Sequence, residues 1–131
     1  MIAVLDASAA LELALDREDS RRFRTGLRGA ERILAPDIFA SEITSAFWKY
    51  SVHKELSGEE CRRGLAFCLD IVDDLLETRS LCPEVLVEAV NSNHSVYDMF
   101  YLVLARRQYA VLFTRDRKMK AIAEEMGIKV F

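Results

Sequence analysis

The sequence predicts a three-layer α/β fold in which helices cover both faces of a central, mainly parallel sheet of four to five strands. Short apolar segments alternate with longer helical patterns, which is the element order typical of such folds. The first short segment, Ile2–Leu5, is apolar on both faces, as expected for a strand in the middle of the sheet. The 131 residues include only five Gly and two Pro, so we predict a single domain over residues 1–131.

Composition and charge exclude several classes of protein. A net charge of −3 argues against indiscriminate binding to nucleic acid. The longest apolar run, Met99–Ala105, is far shorter than a membrane span, and the acidic N-terminal segment is unlike a signal peptide. Three cysteines without a CxxC pair suit a reducing compartment. We therefore expect a cytoplasmic protein with no membrane partner.

The N-terminal strand ends abruptly in Asp6, and the Ala- and Leu-rich segment after it predicts a helix over Ala7–Leu15. Ligands of α/β sheets bind outside the carboxyl ends of strands, so Asp6 lies where such folds place their chemistry. Four arginines follow at helical spacing: Arg17, Arg21, Arg24 and Arg28. On one helix they form a basic stripe, which is either a solvated face or a contact for phosphates.

A second strand, Arg32–Ala35, ends at Pro36, and Asp37 is placed to cap the following helix. Glu42 lies at the margin of that helix's apolar face, where its carboxylate is partly shielded from water. A capping box at Ser57–Glu60 opens the next helix. Its predicted core face consists of Cys61, Leu65, Cys68, Leu69 and Val72. The two cysteines are expected to be small core hydrophobes rather than metal ligands.

The C-terminal half of the chain continues this alternation. Leu75–Ser80 is a third candidate strand, and Pro83 begins a helix that ends near Asn91. Ser95 is a candidate helix cap with Asp98 in the first turn, and the residues that follow are apolar all round. Such a pattern predicts a buried helix.

The last strands flank one helix. Val111–Thr114 is an apolar strand that leads into Asp116, which is also placed to cap a helix that stops at Gly127. Ile128–Phe131 is the last predicted strand. Cationic residues surround the acid: Arg115, Arg117, Lys118 and Lys120.

Four acids meet in one crevice if the sheet places these strand ends together: Asp6, Glu42, Asp98 and Asp116. Carboxylates about 4 Å apart repel by about 4 kcal/mol at an effective dielectric of about 20, so the cluster takes up protons or binds cations. Oxygen ligands without His or Cys favour Mg²⁺ or Mn²⁺. Such an ion activates water beside a phosphate, so phosphodiester hydrolysis is the predicted reaction, with Arg115 and Arg117 holding the polyanion.

These motifs resemble the PIN domain. The matching segments span essentially the whole chain: a strand with Asp6-Ala-Ser8, then Pro36 to Glu42, then Val96-Tyr-Asp98, and Thr114-Arg-Asp116. The compact single-domain form is similar to VapC-type toxins of prokaryotic toxin–antitoxin pairs. One departure is Lys118, which stands where many relatives carry a further acid and weakens the case for a second metal ion.

The resemblance implies a Mg²⁺- or Mn²⁺-dependent endoribonuclease whose site is the four acids, with Ser8 and Thr114 supporting them by hydrogen bonds. It also implies a homodimer that a VapB-like antitoxin holds inactive. We expect the antitoxin to present an arginine to the acids, because a guanidinium pairs with two carboxylates at once. Its apolar residues are expected to anchor near Phe39, Trp48 or Phe23.

Two alternatives to an RNA-cleaving toxin stay open. An inactive PIN-fold module would bind RNA or protein without cutting, although a pure binder has no use for four mutually repelling acids. A related nuclease would act on structured DNA, although the chain has no obvious additional element to grip a DNA junction.

Overall fold

Five parallel strands form one sheet in the computed structural model, which describes residues 1–131. They are β1 (Ile2–Leu5), β2 (Arg32–Pro36), β3 (Asp74–Leu76), β4 (Val111–Phe113) and β5 (Lys129–Val130). Their spatial order is β3-β2-β1-β4-β5, and every neighbouring pair is parallel. The predicted α/β fold is confirmed, with β1 in the centre of the sheet.

Seven α-helices and one short 3₁₀ helix connect the strands. They are α1 (Ala7–Ala14), α2 (Ser20–Leu27), α3 (Ile38–Val52), α4 (Gly58–Ile71), the 3₁₀ helix (Arg79–Leu81), α5 (Cys82–Ser92), α6 (Val96–Arg107) and α7 (Arg117–Glu125). Helix α1 contacts α2, α3 and α4, while α6 contacts α5 and α7. Right-handed crossovers place the first group on one face of the sheet and the second group on the other. No helix has the length and apolar character that crossing a membrane requires.

The core is centred on β1 and α6, as their apolar sequences predict. Ala3, Val4 and Leu5 are fully buried, and so is nearly all of Met99–Ala105 on α6, which contacts β1, β2 and β4. Burial of each large apolar side chain contributes about 1.5–3 kcal/mol, so the centre of the sheet is held firmly. Cys61 and Cys68 are buried free thiols in this core, as predicted.

The chain changes direction at β1, because β2 pairs with one side of this strand and β4 with the other. Such a switch point opens a crevice beyond the carboxyl ends of the two strands. Asp6 follows β1 directly, and its backbone N–H donates to the carbonyl oxygen of Phe113 at 3.1 Å. The residues that follow β1 and β4 are therefore held side by side at the crevice.

The prediction of one continuous basic stripe was wrong, because the helix that would carry it is interrupted. Helix α1 ends at Ala14, and Asp16 has a left-handed backbone with φ 50°, a conformation that Asp tolerates better than most residues. Arg17 consequently lies between α1 and α2 and not in one helix with the others. Arg24 pairs with Asp16 at 3.3 Å.

Several local predictions were also wrong in detail. Asp37 and Ser95 precede helices, but neither side chain caps its helix, and the Asp37 carboxylate accepts a hydrogen bond from Thr78 at 3.0 Å. Leu69 is exposed although it was placed on the core face of α4. The capping box of Ser57 and Glu60, in contrast, is present in full.

Candidate active site

Asp6 is the most buried acid of the crevice, with 5% of its surface exposed. Its Oδ1 accepts hydrogen bonds from the Ser8 hydroxyl at 2.7 Å and from the Ala9 backbone N–H at 2.9 Å. Its Oδ2 accepts a hydrogen bond from the Thr114 hydroxyl. Three donors thus hold the carboxylate in one orientation at the end of the central strand.

Backbone N–H groups of the loop between β4 and α7 set the direction of both hydroxyls. The Arg115 N–H donates to Ser8 Oγ at 2.9 Å, and the Asp116 N–H donates to Thr114 Oγ1 at 3.0 Å. Each hydroxyl has one hydrogen, and because it accepts from the loop, that hydrogen is directed to Asp6. The contacts expected of Ser8 and Thr114 are both present.

Asp116 is the N-cap of α7, as predicted. Its Oδ1 accepts from the backbone N–H groups of Lys118 at 2.9 Å and Met119 at 3.1 Å. Its other oxygen accepts no hydrogen bond from the protein. The cap therefore fixes the side chain while one carboxylate oxygen stays available to a ligand.

The two remaining acids each have a partner on or beside α6. Asp98 Oδ2 lies 2.9 Å from His94 Nε2. Glu42, near the start of α3, accepts a hydrogen bond from the Tyr101 hydroxyl at 2.6 Å. Tyr101 is buried, so this contact joins helices from opposite faces of the sheet at the edge of the crevice.

Three of the four acids lie in one electrostatic field. Burial raises the pKa of Asp6 to about 6, against the effect of its three hydrogen bonds, and the charge of Asp98 adds to the increase. Burial also raises the pKa of Glu42, with a further contribution from Asp98 and an opposing one from the Tyr101 hydroxyl. Asp116 is connected to this group through Thr114, which contacts both it and Asp6.

The donor set fits a hard divalent cation chemically. All four acids supply oxygen, and a bound positive charge would offset the effect of the Asp98 carboxylate on the pKa values of Asp6 and Glu42. No three His, Cys, Asp or Glu side chains stand close enough to enclose an ion by themselves. The structure therefore does not form the close four-acid cluster that the sequence predicted, and a Mg²⁺ ion held here by one or two carboxylates would need waters and substrate phosphates to complete its ligands.

The two arginines beside Asp116 differ in their surroundings. The Arg115 guanidinium pairs with Glu12 at 2.8 Å and with Asp19 at 3.1 Å. Glu12 is 1% exposed and also accepts from the Asp19 backbone N–H at 2.9 Å. Arg117 is exposed and has no acidic partner in the structure.

Three residues of this neighbourhood were not expected from the sequence: Glu12, His94 and Tyr101. The spacing of His94, Asp98 and Tyr101, by four and three residues, was a signal that they lie on one side of a helical segment. Glu12 gave no such signal, because its partner Arg115 is far away in sequence.

The surface expected to anchor a partner is smaller than predicted. Phe39 and Phe23 are fully buried and belong to the core. Phe23 packs on Phe113 with ring centroids 6.3 Å apart. Trp48 on α3 is 61% exposed, so it alone of the three aromatic residues is accessible.

The structure is thus that of an α/β protein with acidic residues gathered at the switch point of a five-stranded parallel sheet. The family model described as the PIN domain matches residues 3–125, and the chain belongs to this family. PIN domains are generally nucleases, and they generally use divalent metal ions.

Three solved structures resemble the chain. PAE2754 from Pyrobaculum aerophilum is 27% identical with a TM-score of 0.74, covering 93% of this chain and 87% of that one. VapBC2 from Rickettsia felis, bound to a DNA fragment from its promoter, is 17% identical with a TM-score of 0.72, covering 100% and 98%. FitAcB from Neisseria gonorrhoeae is 17% identical with a TM-score of 0.67, covering 100% and 96%. A comparison with curated protein sequences gave no match.

Proposed function

We propose that the protein is a Mg²⁺- or Mn²⁺-dependent endoribonuclease that acts as the toxin of a toxin–antitoxin pair in the prokaryotic cytoplasm. The observation that carries this proposal is the orientation of Asp6. Two hydroxyls and one N–H hold its carboxylate in one orientation in a crevice where the charge of Asp98 acts on both Asp6 and Glu42. The cost of that arrangement is offset when a cation binds.

The residues of the crevice fall into two groups: acids that would bind the metal, and polar groups that orient those acids. Asp6, Glu42, Asp98 and Asp116 are the residues that would hold the metal, directly or through water. The bound ion supplies an activated water and neutralises the phosphate under attack. Ser8 and Thr114 keep Asp6 oriented, and the α7 cap keeps Asp116 in place.

We assign the grip on the substrate mainly to Arg117, with Lys118 beside it. Both are exposed at the start of α7 and neither pairs with an acid of the chain, so they remain available to phosphates. Arg115 was also expected to contact substrate. Because its guanidinium has two acidic partners already, its contribution to RNA binding should be smaller than that of Arg117.

Metal binding and cleavage test the proposal together. The wild-type protein should cut single-stranded RNA with Mg²⁺ or Mn²⁺, and a chelator should stop cleavage. Asp98→Asn should abolish cleavage and weaken Mn²⁺ binding in a calorimetric titration by roughly tenfold or more. The exposed Asp70→Asn variant is the control with the same chemical change, and it should behave as wild type.

Each other result favours a different function. Equal Mn²⁺ binding by the wild type and Asp98→Asn would remove Asp98 from the ligand set. A wild-type protein that binds RNA but never cuts it would be the inactive module. Preferential cutting of branched DNA would favour the structure-specific nuclease.

We further propose inhibition by a VapB-like antitoxin that presents an arginine to the acids and an apolar side chain to the surface around Trp48. The four acids and the exposed Trp48 on α3 support this proposal. Expression of the protein alone should stop growth, and co-expression with the adjacent small reading frame should restore it. If the purified complex cuts RNA as fast as the free protein, the toxin assignment fails.

A further inference from the structure

We propose that a groove beside the acidic crevice binds one unpaired nucleotide of RNA, with its base on Tyr97 and its phosphate between Lys49 and Arg17. This inference rests on the proposed function and adds the part of the substrate that the crevice itself does not contact. It also predicts a preference for single-stranded RNA.

The groove begins at one of the candidate metal ligands. It has a volume of about 570 Å³ and is lined by Glu42, Ser45, Ala46, Lys49, Tyr50 and Tyr97. All of these residues except Tyr97 lie on α3, at the three- and four-residue spacing that forms a single stripe along a helix. Lys49 is two turns from Glu42, or about 10 Å along the axis. The groove therefore leads outward from the crevice.

The outer end of the groove is cationic. Lys49 is exposed and forms no ion pair. Arg17 donates to the Tyr50 hydroxyl at 3.1 Å, and its guanidinium lies 5.4 Å from the centre of the Tyr50 ring. Arg17 has no acidic partner either, although Arg24 close by pairs with Asp16. Two uncompensated cations at the outer end of the groove suit a phosphate of an RNA strand that continues from the crevice.

Tyr97 supplies the surface for a base. It is 62% exposed although it stands in the first turn of α6, directly before the candidate ligand Asp98. An exposed aromatic ring beside a groove with cations is the arrangement on which unpaired bases stack. Bases of a duplex are stacked on one another and are not accessible to such a ring. The groove thus selects single-stranded substrate.

Binding of a short unstructured oligoribonucleotide tests the subsite apart from catalysis. Fluorescence anisotropy with chelator present measures affinity without cleavage. Tyr97→Ala should weaken binding by roughly five- to 100-fold, while Tyr97→Phe, which keeps the ring, should bind nearly as wild type. Lys49→Ala should weaken binding and reduce the slope of log affinity against log salt by about 0.7. With Mn²⁺, both alanine variants should raise KM more than they lower kcat.

Tyr109→Ala and Lys129→Ala make the same chemical changes at the distant β5 edge, and neither should alter RNA affinity. The subsite is overturned if Tyr97→Ala and Lys49→Ala bind RNA as wild type, or if duplex RNA binds as tightly as the single strand. It is also overturned if the two variants bind RNA normally and bind only the antitoxin more weakly, because the groove is then a protein-binding site. A wild-type protein that binds RNA through Tyr97 without cutting it would remove the proposed activity and leave the subsite standing.

Discussion

Two opposing effects act on the pKa of Asp6: burial raises it, and hydrogen bonds to the charged carboxylate lower it. The folded pKa of about 6 lies above the ordinary value of 3.8, so burial dominates. The folded protein then binds the proton more tightly than the unfolded chain does. Protonated Asp6 consequently makes its full contribution to the free energy of unfolding below about pH 4. That contribution is lost as the pH rises through 6.

This sign gives a prediction for the metal-free protein. A pKa difference of about two units corresponds to about 3 kcal/mol of unfolding free energy, which is lost between about pH 4 and pH 6. Asp6→Asn removes the titration, so its stability should fall less than that of the wild type over this range. Urea unfolding with chelator present, at several pH values, measures the difference. Asp70→Asn should retain the wild-type pH dependence, and an equal slope in Asp6→Asn would contradict the raised pKa.

The ion pair of Arg115 with Glu12 joins α1 to the loop between β4 and α7, which carries Thr114 and Asp116. Arg115→Ala would leave the Glu12 carboxylate buried without its cation, which typically costs about 3 kcal/mol or more. The double variant Glu12→Gln/Arg115→Ala should recover part of that stability, because the buried charge is gone. Both variants should bind Mn²⁺ more weakly. The backbone N–H of residue 115 still donates to Ser8, but the loop is no longer tied to α1 by the Arg115 side chain and holds that N–H less firmly.

Salt titrations of RNA binding separate this positioning role from a direct interaction with substrate. Arg117→Ala should reduce the salt slope by about 0.7 for each phosphate that Arg117 neutralises, with Mn²⁺ affinity unchanged. Arg115→Ala should weaken Mn²⁺ binding and reduce the salt slope by less than Arg117→Ala does. A reduced slope in Arg115→Ala with normal Mn²⁺ binding would restore the role that the sequence suggested for it.

At the level of elements, the close packing of α3 on α4 depends on Gly64. A Cβ atom at this position would meet the Phe47 ring at 2.5 Å, and Phe47 is nearly fully buried. Gly64→Ala should therefore destabilise the protein by about 1–3 kcal/mol in urea unfolding despite the better helix propensity of Ala. Gly58→Ala, whose Cβ would meet only the flexible end of Arg62 at 3.4 Å, is the control and should be close to neutral.

The elements that the sequence predicted well are those whose pattern is local. The apolar strands, the buried α6 and the Ser57 capping box require only neighbouring residues to specify them. The errors lie where a distant contact decides. Asp37 was expected to cap α3, but its carboxylate instead accepts a hydrogen bond from the Thr78 hydroxyl, 41 residues away. Leu69 fits the period of a core face, yet it is 39% exposed, because no part of the chain covers that side of α4 fully.

At the level of the whole molecule, topology explains why the site could be anticipated at all. Acids that end parallel strands lie on the same edge of a sheet, so Asp6 and Asp116 could be paired from sequence alone. The strand order then places β1 and β4 side by side. What orients these acids could not be anticipated, because Tyr101 and Arg115 reach their partners across 59 and 103 residues.

The last feature at this scale is an apolar face that the single chain leaves uncovered. Leu86, Val87 and Val90 of α5 are 61%, 57% and 72% exposed and lie on one side of the helix, opposite the buried Val85 and Ala89. Clustered exposed apolar residues of this kind mark interaction surfaces. We propose that this face pairs with its copy across a twofold axis and forms the homodimer that the family resemblance implies.

Introducing negative charge at the centre of the exposed apolar face of α5 should separate the subunits. In a twofold interface each substitution places two like charges near each other, so Leu86→Glu/Val90→Glu should sediment as a monomer where the wild type sediments as a dimer. The double variant should keep its far-ultraviolet circular dichroism and its Mn²⁺ affinity, because neither side chain contacts the crevice. Val52→Glu introduces a charge at another exposed apolar residue, on α3, and should remain dimeric. A wild type that is monomeric at all concentrations, or a dimer that survives both glutamates, would show that α5 is not the interface.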